Sequence, residues 1–379
     1  MAEFIVELIR SRGFEPVVGY YAFRSEKAEL SVSLSNLGRF YSGPKKRSVA
    51  SFGGVESYEL GAWFPELEYT HYCPHRHWKE IIDTCGYHVS VSGACHAALP
   101  FVLSNRKCLA WVATDFKGDR VARMSAFPWY LRLFKRIISM RKMLRYEKLV
   151  LENSRVLALS RYTAGELTKI SPNSPINVVL PMPIDTKLFE PLYGVKSSNR
   201  VGFIGRFDDD RKNVGLLLRA FRLCLVDNPS VKLCLIGGEL TKKLQVIVNE
   251  LGISSRLEVL PYHARTEMPS LLQRFDVFVI PSLQEGLCIA GLEAMSCGCP
   301  IVSTRCGGPE DFVIHAENGL LCDSTPLSMS KAICSIINNR VDRDRMALKS
   351  REKATTEYSV ESASSIFWSE FETYFGTFA

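Results

Sequence analysis

Two carboxylates eight residues apart, Glu285 and Glu293, stand in the segment PSLQEGLCIAGLEAMSCGCPIVSTRCGGPEDF, residues 281–312. The pattern places Glu285 in the loop after a strand and Glu293 inside the helix that follows. Gly286 lets the backbone approach a ligand closely. The amides that open the helix over 287–290, beginning with Leu287 and Cys288, have no intrahelical partners. Such a terminus attracts phosphate through free donors and the positive end of the helix dipole. A carboxylate one turn in, as Glu293 would be, can accept from two vicinal ribose hydroxyls, and Glu285 can reach further along the same ligand. Gly298 and Pro300 then end the helix.

The second chemical segment is IGRFDDDRKN, residues 204–213. Gly205 closes a strand, Arg206 follows it, and Lys212 lies at the start of a helix. Two cations at the carboxyl end of a strand suit a diphosphate, Arg206 by forked hydrogen bonds and Lys212 as a point charge. With a helix N-terminus beside them they would stabilise charge developing on a departing diphosphate, and this needs no metal. Asp208, Asp209 and Asp210 read as a helix cap and a solvated turn rather than as a metal-binding D-x-D.

These segments need a framework. From residue 199 the chain alternates strand and helix, with strands expected at VGFIG (201–205), VKLCLIGG (231–238), LEVLP (257–261), DVFVIPS (276–282) and PIVST (300–304). The front half alternates too. An amphipathic helix runs to Gly13, and strands are expected at 16–23, 67–72, 87–91, 108–113 and 155–159. The clearest helix there is 130–150, with Leu133, Ile137, Met140 and Leu144 on one stripe. Alternation of this kind predicts α/β architecture with two doubly wound, Rossmann-like parallel sheets, ligands binding at strand ends that face a cleft between them. Domain limits of 1–189, 190–358 and a closing helix at 359–379 follow from the Pro- and Ser-rich join near 183–199 and the amphipathic run SVESASSIFWSEFETYF.

The 379 residues carry 46% hydrophobic and 23% charged side chains, globular values that exclude disorder and fibrous repeats. Residues 1–189 hold 26 Lys and Arg against 17 Asp and Glu, and residues 190–379 hold 21 against 23. The front half is therefore the one expected to meet an anionic partner. No run reaches the roughly 18 apolar residues of a membrane span. The N-terminus lacks the pattern of a secretory signal, and twelve dispersed cysteines suit reduced thiols in a cytoplasmic protein. Nucleic acid is not expected as a partner.

Taken together, Glu285-x7-Glu293, Arg206 with Lys212, and GLEAMSCGCPIVSTRCGG resemble the donor-binding domain of retaining glycosyltransferases of family 4, which have the GT-B fold. LALSRYTAGEL (157–167) and PIDTKLFEP (183–191) resemble the end of that family's first domain. The resemblance covers about 155–322 and is topological over 1–150. It implies metal-independent transfer, with retention, of a hexosyl unit from a UDP- or GDP-sugar. The acceptor would be a glycan or lipid-linked glycan in cell-surface polysaccharide or lipopolysaccharide synthesis. It also implies no cofactor beyond the donor, with Arg206 and Lys212 on the diphosphate, Glu293 on the ribose and Glu285 facing the sugar. The resemblance further implies that the leaving phosphate takes the acceptor proton and that the closing helix crosses back to the first domain, where Trp368 and Phe371 would pack.

The sequence departs from the family at four places. Leu287 replaces an aromatic residue and Cys288 a glycine. Asp115 stands where a histidine is frequent, so no catalytic histidine is carried over. The chain opens directly in a helix: the family's first strand and glycine-rich turn are absent from residues 1–13, and Gly53-Gly54 matches that turn in composition alone. A start upstream of Met1 or a reduced first domain would each account for this. Competing readings are a GT-B sugar-nucleotide epimerase and a non-catalytic partner subunit that binds a nucleotide sugar.

Three further clusters admit more than one reading. His71, His75, His77, His88 and His96, with Cys73, Cys85 and Cys95, suit loop and core positions, acceptor contacts or a structural zinc. Helix 130–150, with seven basic residues between Arg132 and Lys148, suits either a solvated exterior or peripheral contact with an anionic membrane on its inner face. Cys297, Cys299 and Cys306 read as buried thiols.

Overall fold

The computed structural model describes residues 1–22, 29–34, 41–51, 53–118, 139–192 and 199–376. Two units can be distinguished. The first contains residues 1–159, 163–180 and 367–379, and the second contains 160–162 and 181–366. The boundary thus falls at Leu180 rather than residue 189, and it also divides the closing helix.

The first unit starts with α1 (Ala2–Ser11), which buries Ile5, Val6 and Leu8 and stops before Gly13, at φ +82°. Next come β1 (Val18–Tyr21), β2 (Lys46–Ser51), β3 (Val55–Leu60), α2 (Arg76–Thr84), β4 (Val89–Ser92), α3 (Leu99–Leu103), β5 (Leu109–Val112), α4 (Met140–Asn153), β6 (Arg155–Ala158) and α5 (Arg161–Ile170). Its strands form two three-stranded sheets. One has the order β1-β3-β2 and the other β4-β5-β6. The second is all parallel, whereas β2 runs antiparallel to β3.

This differs from the single sheet expected for the front half. The hairpin β2–β3 was not foreseen, although Gly53 and Gly54 both take the positive φ that a tight turn requires. Residues 67–72 are not a strand. Glu68–Thr70 forms a 3-10 turn, with the Thr70 hydroxyl turned back onto the preceding backbone, within hydrogen-bond reach of the carbonyls of Trp63, Phe64 and Leu67. A side chain that bonds its own neighbouring backbone competes with the ladder. On α4 the buried face is Met143, Glu147, Val150 and Leu151, not the stripe through Met140 and Leu144, and Leu133, Ile137 and residues 130–138 lie outside the described residues.

The second unit holds β7 (Arg200–Ile204), α6 (Val214–Asp227), β8 (Lys232–Ile236), α7 (Lys242–Leu251), β9 (Leu257–Leu260), α8 (Met268–Leu272), β10 (Val277–Ile280), α9 (Ile289–Ser296), β11 (Ile301–Thr304), α10 (Pro309–Phe312), β12 (Gly319–Cys322), α11 (Pro326–Asn338), α12 (Arg340–Glu357) and the start of α13 (Val360–Phe375). Its six strands pair in parallel in the order β12-β11-β10-β7-β8-β9. Apolar strands such as β10 (VFVI, buried throughout) are covered on both faces, as a parallel sheet demands. Gly202 in β7 is there for space, because a Cβ would lie 2.1 Å from the buried ring of Phe275.

Among the described residues no helix is long and apolar enough to cross a membrane. From Phe367 on, α13 belongs to the first unit. There Trp368 stacks on Phe14 with centroids 6.0 Å apart, Arg12 lies over the Trp368 ring, and Arg155 pairs with Glu370 at 2.7 Å.

Candidate active site

In the six-stranded sheet, chain order reverses between β7 and β10, and crevices at such a switch point are where open α/β sheets bind ligands. The loops leaving these two strands carry the residues singled out by sequence. Gly205 follows β7, and its amide bonds Ile236 O at the end of β8. The fit is close, since a Cβ on Gly237 would come within 1.9 Å of Gly205 O.

Arg206 is exposed and donates from Nη2 to Asp209 Oδ2 at 3.0 Å. Asp209 also takes Arg211 Nε and Nη2, at 3.1 and 2.9 Å, and caps the following 3-10 turn through Arg211 N. Burial alone would raise its pKa, but the bonds from Arg211 and Arg206 outweigh it and hold the carboxyl at about 2. Of the three neighbouring acids, Asp209 is thus occupied by arginines, and Asp210 faces Lys243 at 3.4 Å. Among the described residues no three metal-type side chains converge.

Lys212 and Glu285 meet. Lys212 Nζ lies 2.8 Å from Glu285 Oε1, and Ser282 Oγ donates to the same oxygen at 2.6 Å. Burial works to lower the Lys212 pKa, yet the neighbouring Cys288 thiol, Glu285 and Asp209 raise it on balance, so the ammonium stays charged. Backbone bonds fix the loop that bears Glu285. Glu285 N donates to Cys306 O at 2.8 Å, and Gly308 N donates to Glu285 O at 2.9 Å. The two loops are also joined by Leu283 N to Arg211 O at 2.7 Å.

The glycine pair 307–308 has a steric reason. A Cβ on Gly308 would lie 2.3 Å from Gly286 O and 2.5 Å from Leu287 Cα. Leu287 is buried, and Cys288 opens α9 in the left-handed region at φ +71°, with no side chain capping the helix. A β-carbon is held there at a cost. Glu293, one turn into α9, is half-buried, and burial pushes its pKa up to about 7 against the opposing charge of Arg265.

Arg206, Lys212, Glu285, Gly286, Leu287, Cys288 and Glu293 therefore all belong to the two loops and one helix at the switch point. Ser282, Asp209, Arg211 and Arg265 are additions. Asp209 was legible only as a cap. Ser282 closes an apolar strand three residues before Glu285, a weak signal, and Arg265 had none.

The histidine-rich stretch lies in the first unit and is held by backbone. Ring Nε2 atoms of His71, His75, His88 and His96 bond the carbonyls of Pro65, Gly61, Ile82 and Met143, and His77 pairs with Glu80. These are loop and core roles. Cys297, Cys299 and Cys306 are buried thiols, as expected.

Residues 187–353 match the family described as glycosyl transferases group 1. A D-inositol 3-phosphate glycosyltransferase of Corynebacterium jeikeium is 33% identical over 131 residues, 32% of this chain and 31% of that protein. An uncharacterized glycosyltransferase of Methanocaldococcus jannaschii is 26% identical over 278 residues, 72% of this chain and 71% of that protein. The chain spans under half the length of the Corynebacterium relative. Among solved structures, Anabaena HepE in complex with UDP superposes with a TM-score of 0.71 at 16% identity, covering 98% of this chain and 96% of that one. Sucrose-phosphate synthase of Thermosynechococcus elongatus gives 0.70 at 16%, covering 97% and 90%. The fold is thus that of GT-B glycosyltransferases, and residues 187–353 carry the match to the glycosyl transferases group 1.

Proposed function

We propose that this protein is a retaining glycosyltransferase that moves a hexosyl unit from a UDP- or GDP-sugar to a glycan or lipid-linked acceptor, in cell-surface polysaccharide or lipopolysaccharide synthesis. The observation that carries the reading is the Lys212–Glu285 pair, braced by Ser282, at the sheet's switch point beside the uncapped start of α9. HepE, of the same fold, has been solved with UDP and with UDP-glucose.

In this reading Arg206 and Lys212 bind the diphosphate and the first-turn amides of α9 complete its cradle. Glu293 accepts from the ribose hydroxyls and Glu285 from the donor sugar. The acceptor hydroxyl oxygen bonds to the anomeric carbon on the face that the diphosphate leaves. The carbon–oxygen bond to the diphosphate breaks, and the acceptor proton passes to a diphosphate oxygen. Arg206 and Lys212 stabilise the charge that grows there, so the step needs neither a protein base nor a divalent ion. The first unit takes the acceptor, and its basic excess suits an anionic one at a membrane surface.

Titration calorimetry with UDP and GDP, on the wild type, Arg206→Ala and Lys212→Ala, tests the assignment. Each substitution should weaken the preferred nucleotide at least tenfold, about 1.4 kcal/mol, without unfolding the protein. Unchanged affinity removes the diphosphate role. Turnover of the donor should persist in chelator, and activity lost to chelator and restored by Mg²⁺ contradicts the metal-free step. Donor binding without transfer to any acceptor would instead favour a binding subunit.

A further inference from the structure

Two thiols in the core of the second unit take no part in the donor chemistry. Helices α6 and α11 pack on each other there, and Cys224 of α6 and Cys334 of α11 are 1% and 9% exposed. Two contacts fix the register of the helices. Cys224 Sγ lies 3.7 Å from Ser330 O, and Asn228, one turn further on, donates from Nδ2 to Asn338 Oδ1 at 3.2 Å. Residues four apart share a helix face. The offset that sets Asn228 beside Asn338 therefore sets Cys224 beside Cys334, one turn after Ser330. The two thiols are hydrogen-bonded to each other. One turn earlier the same offset brings Ala220 to Ser330, and side chains this small let the helix axes come close.

The two sulfurs differ. The bond from Cys224 lowers the Cys334 pKa against the effect of burial, and the same bond together with burial pushes the Cys224 thiol up. Thiolate therefore gathers on Cys334, the less buried of the two, while Cys224 keeps its proton beside it. A thiol of lowered pKa with a second thiol in contact is arranged to oxidise to a disulfide rather than to stop at a sulfenic acid.

We propose that Cys224 and Cys334 form a reversible disulfide site, oxidised by hydrogen peroxide, that clamps α6 to α11. The Cys334 thiolate attacks one peroxide oxygen, the oxygen–oxygen bond breaks and hydroxide leaves, which gives a sulfenic acid. The Cys224 sulfur then attacks the Cys334 sulfur. The sulfur–oxygen bond breaks, and its hydroxyl leaves as water with the Cys224 proton. Two thiols are thereby oxidised and one peroxide is reduced to two waters, the hydroxide taking up the proton that Cys334 released. A dithiol such as dithiothreitol reverses the bond by exchange. The bond closes a loop of about 110 residues, long enough for a cross-link to stabilise the unit.

Two measurements test this, and neither depends on donor binding. Trypsin releases each cysteine on its own peptide, Leu223–Lys232 and Ala332–Arg340. The reduced protein is treated with hydrogen peroxide, its remaining thiols are blocked with N-ethylmaleimide, and the digest is read by mass spectrometry. The two peptides should be found joined to each other, and separate again after dithiothreitol. Cys73, Cys85 and Cys288 are more exposed, so the linkage and not the total loss of thiol is the readout. Recovery of both peptides as blocked thiols, of Cys334 as a sulfinic acid, or of either peptide joined to a different cysteine overturns the inference. The oxidised protein should also melt at least about 4 °C above the reduced one. Cys334→Ser, which keeps the size of the side chain, should lose both the link and the rise. An equal rise in Cys334→Ser overturns the clamp, and so does a link with no rise.

Discussion

The two units pair their strands differently. In the second, six parallel strands form one sheet, and the polar groups at its switch point meet each other: Lys212 with Glu285, Arg206 and Arg211 with Asp209. In the first, the described residues form two sheets of three strands facing a cavity, and buried polar atoms of its wall have no hydrogen-bond partner among those residues. Strand and helix alternation is present in both halves of the sequence, so alternation alone does not decide whether a sheet closes. What decides is whether every strand has a neighbour on each side or a reason to be an edge. In the second unit the charges at the switch point are held in pairs, Lys212 with Glu285 and both arginines with Asp209.

The contrast should be most visible in the glycines. Gly308 is surrounded by backbone, whereas Gly165 in α5 of the first unit would meet nothing within 4 Å. Gly308→Ala must displace Gly286 and Leu287, which open the helix of the candidate site. A donor affinity loss on the order of 100-fold is expected, with destabilisation of about 3 kcal/mol. Gly165→Ala should instead stabilise by up to about 1 kcal/mol, because it replaces glycine within a helix. Urea unfolding and nucleotide titration of both variants check this. Equal behaviour would erase the distinction between a loop held by contact and a helix with room to spare.

The next effect concerns a carboxyl in the first unit. Glu147 is fully buried on α4, where its Oε1 accepts from Phe116 N at 2.8 Å and its Oε2 has no hydrogen-bond partner among the described residues. Burial pushes its pKa up to about 7, against the Phe116 bond and with help from Asp115. A pKa higher in the folded than in the unfolded chain means that the folded protein binds the extra proton. Stability from this group is therefore present below about pH 4.5 and is lost as pH rises to about 7. Glu147→Gln removes the charge and keeps the shape, so it should stabilise by up to about 3 kcal/mol at pH 8 and by little at pH 4.5. Urea midpoints at the two pH values decide. No gain at pH 8 would show that the buried carboxyl is satisfied after all.

The second unit holds a counterpart in Glu293, whose pKa also sits near 7 but whose proposed partner is a ligand. Donor affinity should fall as pH drops below about 7 and Glu293 gains a proton. Between pH 8 and pH 6 the loss should reach about tenfold, or 1.4 kcal/mol. Glu293→Gln should bind more weakly at pH 8 and show a flat profile. A profile that still bends in the variant would assign the titration to another group and remove the ribose role.

How much of this was legible beforehand follows the same division. For the second unit, sequence reading located five of the six strands, missing β12, and the residues it singled out lie together on two loops and one helix. Parallel βαβ units are local in sequence, and their strand ends are marked by Gly205, Gly237 and Pro281. The first unit was read less well. Its hairpin escapes a sequence reading because β2, KRSVAS, alternates weakly, and 67–72 reads as a strand because the Thr70 hydroxyl's bond to the preceding backbone leaves no periodic trace. On α4 the buried face includes an acid, which a search for apolar stripes passes over. The partners that brace the site, Ser282 and Arg265, were invisible for a further reason. Ser282 shares the loop of Glu285 but is one serine among many, and Arg265 lies on another loop, 28 residues before Glu293, so only the assembled sheet relates the two.

The smallest effect tests whether the end of α13 is energetically part of the first unit. Arg12 lies 4.4 Å over the Trp368 ring and pairs with Glu372 at 2.7 Å, but both charged side chains are more than a third exposed. Solvent screening leaves the ion pair worth little, and the cation–π contact dominates at about 0.5–1 kcal/mol. Arg12→Ala should therefore cost about 1 kcal/mol or less, with little dependence on salt. Glu372→Gln, which removes only the ion pair, should be nearly neutral. A loss from Glu372→Gln as large as that from Arg12→Ala would make the ion pair the main contact. The helix would then be held to the first unit by surface charge rather than by the aromatic cluster of Phe14, Trp368 and Phe371.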